Sequence, residues 1–108
     1  MCTYSQHIIL AQTDFAQISW CKGCKSYSLI YNNCALSFTP GELQQFQEML
    51  GQLREHDYNY QFMGQSRVLI HNQCAHMGIC FTSVEVSEIR DLIAEALTLF
   101  EAFSIIYA

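Results

Sequence analysis

The string Trp20-Cys21-Lys22-Gly23-Cys24-Lys25 sets two thiols three positions apart, a spacing that suits two kinds of chemistry. As thiolates the pair can grip one metal ion. Zinc takes four ligands in a tetrahedron, and a Cys-x-x-Cys turn at the tip of a hairpin delivers two of them, with a glycine easing the bend. As a redox centre, the pair would instead need its first cysteine at a helix N-terminus, where amides and the helix dipole favour the thiolate. The residues after Lys25 decide between the two contexts. Ser26-Tyr27-Ser28-Leu29-Ile30-Tyr31 alternates with period two, the pattern of a half-buried strand. A strand before and a strand after the cysteines predict a metal knuckle.

A tetrahedral site needs two further ligands, and chain geometry nominates His7 and Cys2. A turn at Thr13-Asp14 that joins a strand over 7–12 to a strand over 15–21 puts position 7 opposite position 20, to within one residue. A slip of one residue would turn His7 to the other face. Residues 2 to 6 then run beside the knuckle, so Cys2 can complete the shell. The set Cys2, His7, Cys21 and Cys24 leaves no open position, so the expected zinc is structural: it fastens the N-terminal strand and polarises no substrate.

A second group has ligand-like residue types: His71, Cys74, His76 and Cys80, with Cys34 at the corresponding turn of the other half of the chain. It belongs to the far ends of the strands, about 20 Å from the knuckle at 3.3 Å per residue. Histidines and cysteines that merely pack or turn are the ordinary reading there. The six residues from Trp20 to Lys25 also resemble the Trp-Cys-Gly-Pro-Cys-Lys active site of the thioredoxin family, which implies thiol–disulfide exchange at Cys21 and Cys24. The likeness ends with the motif. The helix next to it in that family is replaced by a strand pattern, and Pro40, the single proline, is accounted for as a helix start, not as a cis-proline loop.

The elements that must hold these residues are legible from an internal echo. Leu36-Ser-Phe-Thr-Pro-Gly-Glu-Leu43 lines up with Ile79-Cys-Phe-Thr-Ser-Val-Glu-Val86, and in each copy a strand meets a helix at a capping box, Thr39 with Glu42 and Thr82 with Glu85. Extending the echo backward aligns the cysteine turn with Met63-Gly64-Gln65-Ser66, which keeps a glycine and lacks the thiols; on that alignment the turn itself does not require cysteine. The expected fold is α+β, a single domain over 1–108: an N-terminal strand 7–12, then duplicated β-β-β-α units over 14–56 and 57–108. They should form a continuous or nearly continuous antiparallel sheet with both helices on one face. The other face, with Gln17, Ser26 and Ser28, should be more polar.

Composition bounds the function. A chain of 108 residues, 51% hydrophobic, 13% aromatic and 14% charged, can fold without staples. A net charge of -5 repels phosphate backbones, so nucleic acid is not an expected partner. No run of uncharged apolar residues is long enough to span a bilayer, and Met1 to Gln12 lacks the features of a signal peptide, so the chain is expected to be cytoplasmic, away from membranes, with reduced cysteines. The second helix, from Ser83 to about Tyr107, has an unusually wide apolar face. At about 37 Å it is long for a domain of this size, and Leu97, Leu99, Phe100, Phe103, Ile105, Ile106 and Tyr107 spread around it. This predicts a homodimer through its C-terminal half.

With no nucleophile–base pair and no glycine-rich phosphate loop, the chain reads as a non-enzymatic interaction module. A thiol-redox or metal-handling protein is the alternative, and an enzyme built on His71 and His76 a third reading. In its His7-to-Cys-x-x-Cys spacing and its two Phe-Thr-x-x-Glu joints the chain resembles small uncharacterised bacterial proteins of about this length, grouped as a domain of unknown function. That resemblance implies no activity.

Overall fold

The structure, a computed structural model, describes the backbone of residues 7–72 and 77–107 and the side chains of 7–71 and 78–102. Cys2, Cys74 and His76, and the side chains of Phe103, Ile105, Ile106 and Tyr107, lie outside the described residues. The strands are β1 (His7–Gln12), β2 (Ala16–Cys21), β3 (Ser26–Tyr31), β4 (Cys34–Phe38), β5 (Tyr60–Phe62), β6 (Gln65–Asn72) and β7 (Met77–Phe81). Helix α1 (Pro40–Gly51) comes after β4, and α2 (Ser83–Tyr107) after β7. The protein is α+β, and the order strand-strand-strand-helix occurs twice, as β2-β3-β4-α1 and β5-β6-β7-α2.

Both helices begin where the sequence says they should. Thr39 Oγ1 accepts from the Glu42 amide while the Glu42 carboxylate accepts from the Thr39 amide at 2.8 Å. Thr82 and Glu85 repeat the exchange, again with the carboxylate bond at 2.8 Å. Two of the orphan amides of each helix start are thereby satisfied. Helix α1 buries Leu43, Phe46 and Leu50 and stops after Gly51, so Leu53 of the expected stripe lies beyond the helix. Helix α2 buries Val86, Ile89, Leu92, Ile93 and Ala96 along one side and runs unbroken to Tyr107, in a molecule 45 Å long and 26 Å across.

Instead of one sheet there are two antiparallel sheets, β1-β2-β3-β4 and β5-β6-β7. The larger holds the core. Ile18, Tyr27, Leu29 and Tyr31 point at the helices, with Phe38 stacked on Phe46 of α1 at 5.0 Å and Trp20 against Phe100 of α2 at 4.8 Å. Both helices therefore cover the same face of this sheet. Its other face carries Gln17, Ser26 and Ser28, all half-buried, together with exposed Ile9 and Ile30. The two sheets meet through side chains. The Tyr31 ring stands edge-on to Phe81 at 5.9 Å, and the Tyr31 hydroxyl donates to Glu88 Oε2 at 2.7 Å. Burial, then the hydrogen bond to Glu88 and the charges of Glu88 and Glu85, push the Tyr31 phenol well above its ordinary pKa.

The pairing of β1 with β2 is interrupted once. From Gln12↔Gln17 the ladder runs to Ala11↔Ile18, then shifts at a bulge and continues as Ile9↔Ser19, Ile8↔Trp20 and His7↔Cys21. The extra residue, Leu10, joins Ala11 in the core, so β1 contributes two successive apolar side chains to the helix face.

Candidate functional site

Strand β2 ends on Cys21 and β3 starts on Ser26, which leaves a four-residue link, Lys22 to Lys25, between them. Two amides close it. The Lys25 N–H donates to the Cys21 carbonyl at 2.8 Å, and the Cys24 N–H donates to Cys21 Sγ at 3.3 Å. The left-handed position of the turn is Lys25, with φ 53°. The counterpart in the second unit is built differently. Met63 and Gly64, with φ of 52° and 74°, form a two-residue turn between β5 and β6, the primed type that matches the twist of a hairpin. The expectation that both units share one turn is therefore corrected: the cysteine turn is two residues longer than strand pairing needs.

His7 lies directly across the ladder from Cys21, not from Trp20. The loop between β1 and β2 holds Thr13, Asp14 and Phe15, one residue more than a Thr13-Asp14 turn, with the Thr13 N–H on the Ala16 carbonyl at 2.8 Å. The loop moves the register by two residues, with Gln12 opposite Gln17 and not Phe15, and the bulge at Leu10 moves it back by one. Residues directly opposite on an antiparallel ladder share a face. His7 and Cys21 thus lie on the same face, the one away from the helices. His7 is exposed there, whereas Cys21 is 3% exposed.

The two cysteines of the turn differ in more than burial. Cys21 is free, as are half-buried Cys34 and Cys80, but Cys24, which is exposed, is disulfide-bonded to a partner outside the described residues. The expectation of uniformly reduced cysteines is corrected at this position. Among the described residues no group of three or more His, Cys, Asp or Glu side chains is arranged to hold a metal ion. The described part of the expected zinc set is His7, Cys21 and Cys24.

The second ligand-like group is not brought together among the described residues. His71 is exposed and pairs with Gly78, and Cys80 pairs with Leu69 on the face opposite Ile70 and Ile79. His71 also borders a feature that sequence reasoning missed, an open groove of about 740 Å³ between the two sheets, where Leu36, Phe38, Phe46, Ile70 and Ile79 supply apolar walls. Nothing in the sequence signals it, because it exists by virtue of the break between β4 and the second sheet. Arg67 was missed too. Its guanidinium reaches Glu85 Oε1 at 3.4 Å and Gln65 Oε1 at 2.9 Å and lies over the Phe62 ring at 5.6 Å, which ties β5 and β6 to the start of α2.

A family described as a family of unknown function (DUF6686) matches residues 1–105; the chain belongs to it. No curated protein and no solved structure matches the chain. Among the described residues no helix is long and apolar enough to cross a membrane.

Proposed function

We propose that this member of a family of unknown function is a small non-enzymatic interaction module whose N-terminal strand is pinned, when Cys24 is reduced, by a structural zinc ion at Cys2, His7, Cys21 and Cys24. The observation that carries the reading is the bond from the Cys24 amide to Cys21 Sγ at a residue 3% exposed. A buried thiolate needs donors to compensate its charge, and a turn that aims its own amide at the first sulfur supplies one before any metal arrives. An exchange-type redox pair has the opposite layout, an accessible first cysteine at a helix N-terminus; Cys21 is a buried residue at the end of a strand. His7, opposite Cys21, adds a nitrogen from the neighbouring strand, so zinc would join β1 to the β2–β3 turn.

The interaction surface we assign to the far half of α2, in a homodimer. Leu99 is 38% exposed there, and the helix runs on past Phe100, the last of its described side chains that packs on the core. The charge of -5 speaks against nucleic acid as the partner.

Element analysis of protein isolated under reducing conditions, without chelator or added metal, tests the zinc. About one equivalent per chain is expected, bound with about 10 kcal/mol or more, and Cys21→Ser should abolish it. Zinc below about 0.2 equivalents in the parent protein would overturn the reading, since a structural site of that affinity stays filled.

A further inference from the structure

The two sheets end in four strand edges, and the chain treats them unequally. Each outer edge has a device that discourages pairing with a foreign strand. Strand β1 carries the bulge at Leu10, and β5 is three residues long; bulges and short strands are both ways to blunt an edge. The inner edges have no such device. Strand β4 reads Cys-Ala-Leu-Ser-Phe and β7 Met-Gly-Ile-Cys-Phe, five residues apiece without a charge or a proline, and their ladders with β3 and β6 run without a register shift. Among the described residues β4 pairs with β3 alone and β7 with β6 alone, so one side of each keeps amides and carbonyls that no ladder uses.

The groove of about 740 Å³ runs along these inner edges. Successive side chains of a strand point to opposite faces, yet Ala35, Leu36, Ser37 and Phe38 all border it, as do Gly78 and Ile79. It therefore follows the rims of the strands and not one face of either sheet. We propose that the groove is a docking slot for an extended peptide segment of a partner protein, apolar at every second residue and basic in between, which adds to β4 as a further strand in the gap before β7.

The unpaired edge dictates a strand as the occupant, because main-chain bonds give such a complex its affinity and the pleat gives it its side-chain pattern. On the helix side the added strand would meet Leu36 and Phe38 of β4, Phe46 of α1, and Ile70 and Ile79 of the second sheet, which calls for apolar side chains there. On the other side it would run past exposed Ala35 and Ser37. Charge fixes the intervening residues. Among the described residues no lysine or arginine lines the groove, the Glu42 carboxylate does, and the whole chain carries -5, so a basic segment is drawn in and an acidic one repelled. The slot shares no residue with the cysteine turn or with the far half of α2, and the inference needs neither zinc nor a dimer.

The experiment uses the full chain and a synthetic hexapeptide of alternating valine and lysine, labelled with a fluorophore, which is about 20 Å long when extended and spans β4. Fluorescence anisotropy should show saturable binding in the micromolar range. The same peptide with glutamate in place of lysine should bind at least about tenfold more weakly, as should one that keeps its side chains but is N-methylated along its backbone. At saturation, hydrogen exchange should slow by at least about tenfold at those amides of 34–38 that β3 leaves unpaired, while the outer edges, 7–12 and 60–62, keep their rates. Binding that survives N-methylation, slowing at the outer edges instead, or no binding below about 1 mM would overturn the proposal. Amides of 34–38 that all exchange slowly in the free chain would show the edge already covered, by a second copy or by the chain itself, and would overturn it too. Leu99→Glu, on the surface assigned to the dimer, should bind the peptide as the parent does, so that failure of the dimer and failure of the slot are read separately.

Discussion

Replacing Phe100 by Ala should loosen the end of the molecule that carries the cysteine turn. Phe100 is half-buried and touches Trp20 at 4.8 Å and Tyr27 at 5.5 Å between ring centroids. Truncating a fully buried phenylalanine costs about 3–5 kcal/mol. Half-burial reduces that to about 2 kcal/mol, and the two ring contacts add about 0.5–1.5 kcal/mol each. A loss of about 3–5 kcal/mol is large against a total stability of about 5–15 kcal/mol. At about 4–5 °C per kcal/mol it corresponds to a Tm lower by about 12–25 °C. Trp20 is the single tryptophan, so its emission reports this contact directly: thermal melts monitored by that emission should show the lower midpoint, and the native spectrum should shift to the red as the indole meets water. Phe100→Leu, which keeps much of the bulk and loses the ring pairing, should fall between the two. A drop of less than about 3 °C for Phe100→Ala, with unchanged emission, would refute the view that α2 is clamped to the sheet as far as Phe100.

Light scattering at micromolar concentration should give the mass of two chains, and Leu99→Glu or Phe103→Glu should halve it without unfolding; a parent mass of one chain ends the dimer proposal. Thr82→Ala, which removes the hydroxyl of the second capping box, should cost about 1 kcal/mol in denaturant unfolding, and no measurable change would show that the Glu85 half of the box suffices. Because the Tyr31 phenol is pushed up, chiefly by burial and then by Glu88, the folded chain keeps a proton that the unfolded chain gives up near pH 10. Its contribution to stability is complete below that pH and is lost as pH rises above it. Tyr31→Phe should flatten this alkaline decline, with a remainder from buried Tyr27, whose pKa is also raised; an unchanged alkaline limb would refute the assignment.

What the sequence revealed and what it hid divide by range. The capping boxes at Thr39–Glu42 and Thr82–Glu85, the strand 7–12 and the extent of α2 were legible because each depends on neighbours within one helical turn or one pleat. The face of the sheet on which the helices lie was legible from alternation alone, as in Tyr27, Leu29 and Tyr31. Register was not. The β1–β2 loop moves the pairing by two residues and the extra residue at Leu10 moves it back by one, and neither has a marker that distinguishes it from its neighbours. The split into two sheets was hidden for a related reason: β4 pairs with β3 and with no second-sheet strand, a matter of tertiary packing. Aligning the cysteine turn with Met63-Gly64 failed because both segments contain a glycine, and composition does not distinguish a two-residue turn from a four-residue link. The disulfide at Cys24 depends on which sulfur lies nearby in space, which no local pattern encodes.

The bulge at Leu10 has a bearing on how this chain can change in length. Deleting Leu10 would restore an uninterrupted ladder in which Ala11 still faces Ile18 and His7 still faces Cys21, at the cost of one buried leucine, about 2–5 kcal/mol by analogy with truncations to alanine. A deletion or insertion between His7 and Ile9 would instead rotate every residue before it to the opposite side of the pleat, sending the imidazole toward the helices and away from the thiol. Within β1 the bulge is thus the point at which a codon can be lost or gained while the histidine–cysteine pairing survives, and homologous chains of differing length should differ there and not between Leu10 and the N-terminus.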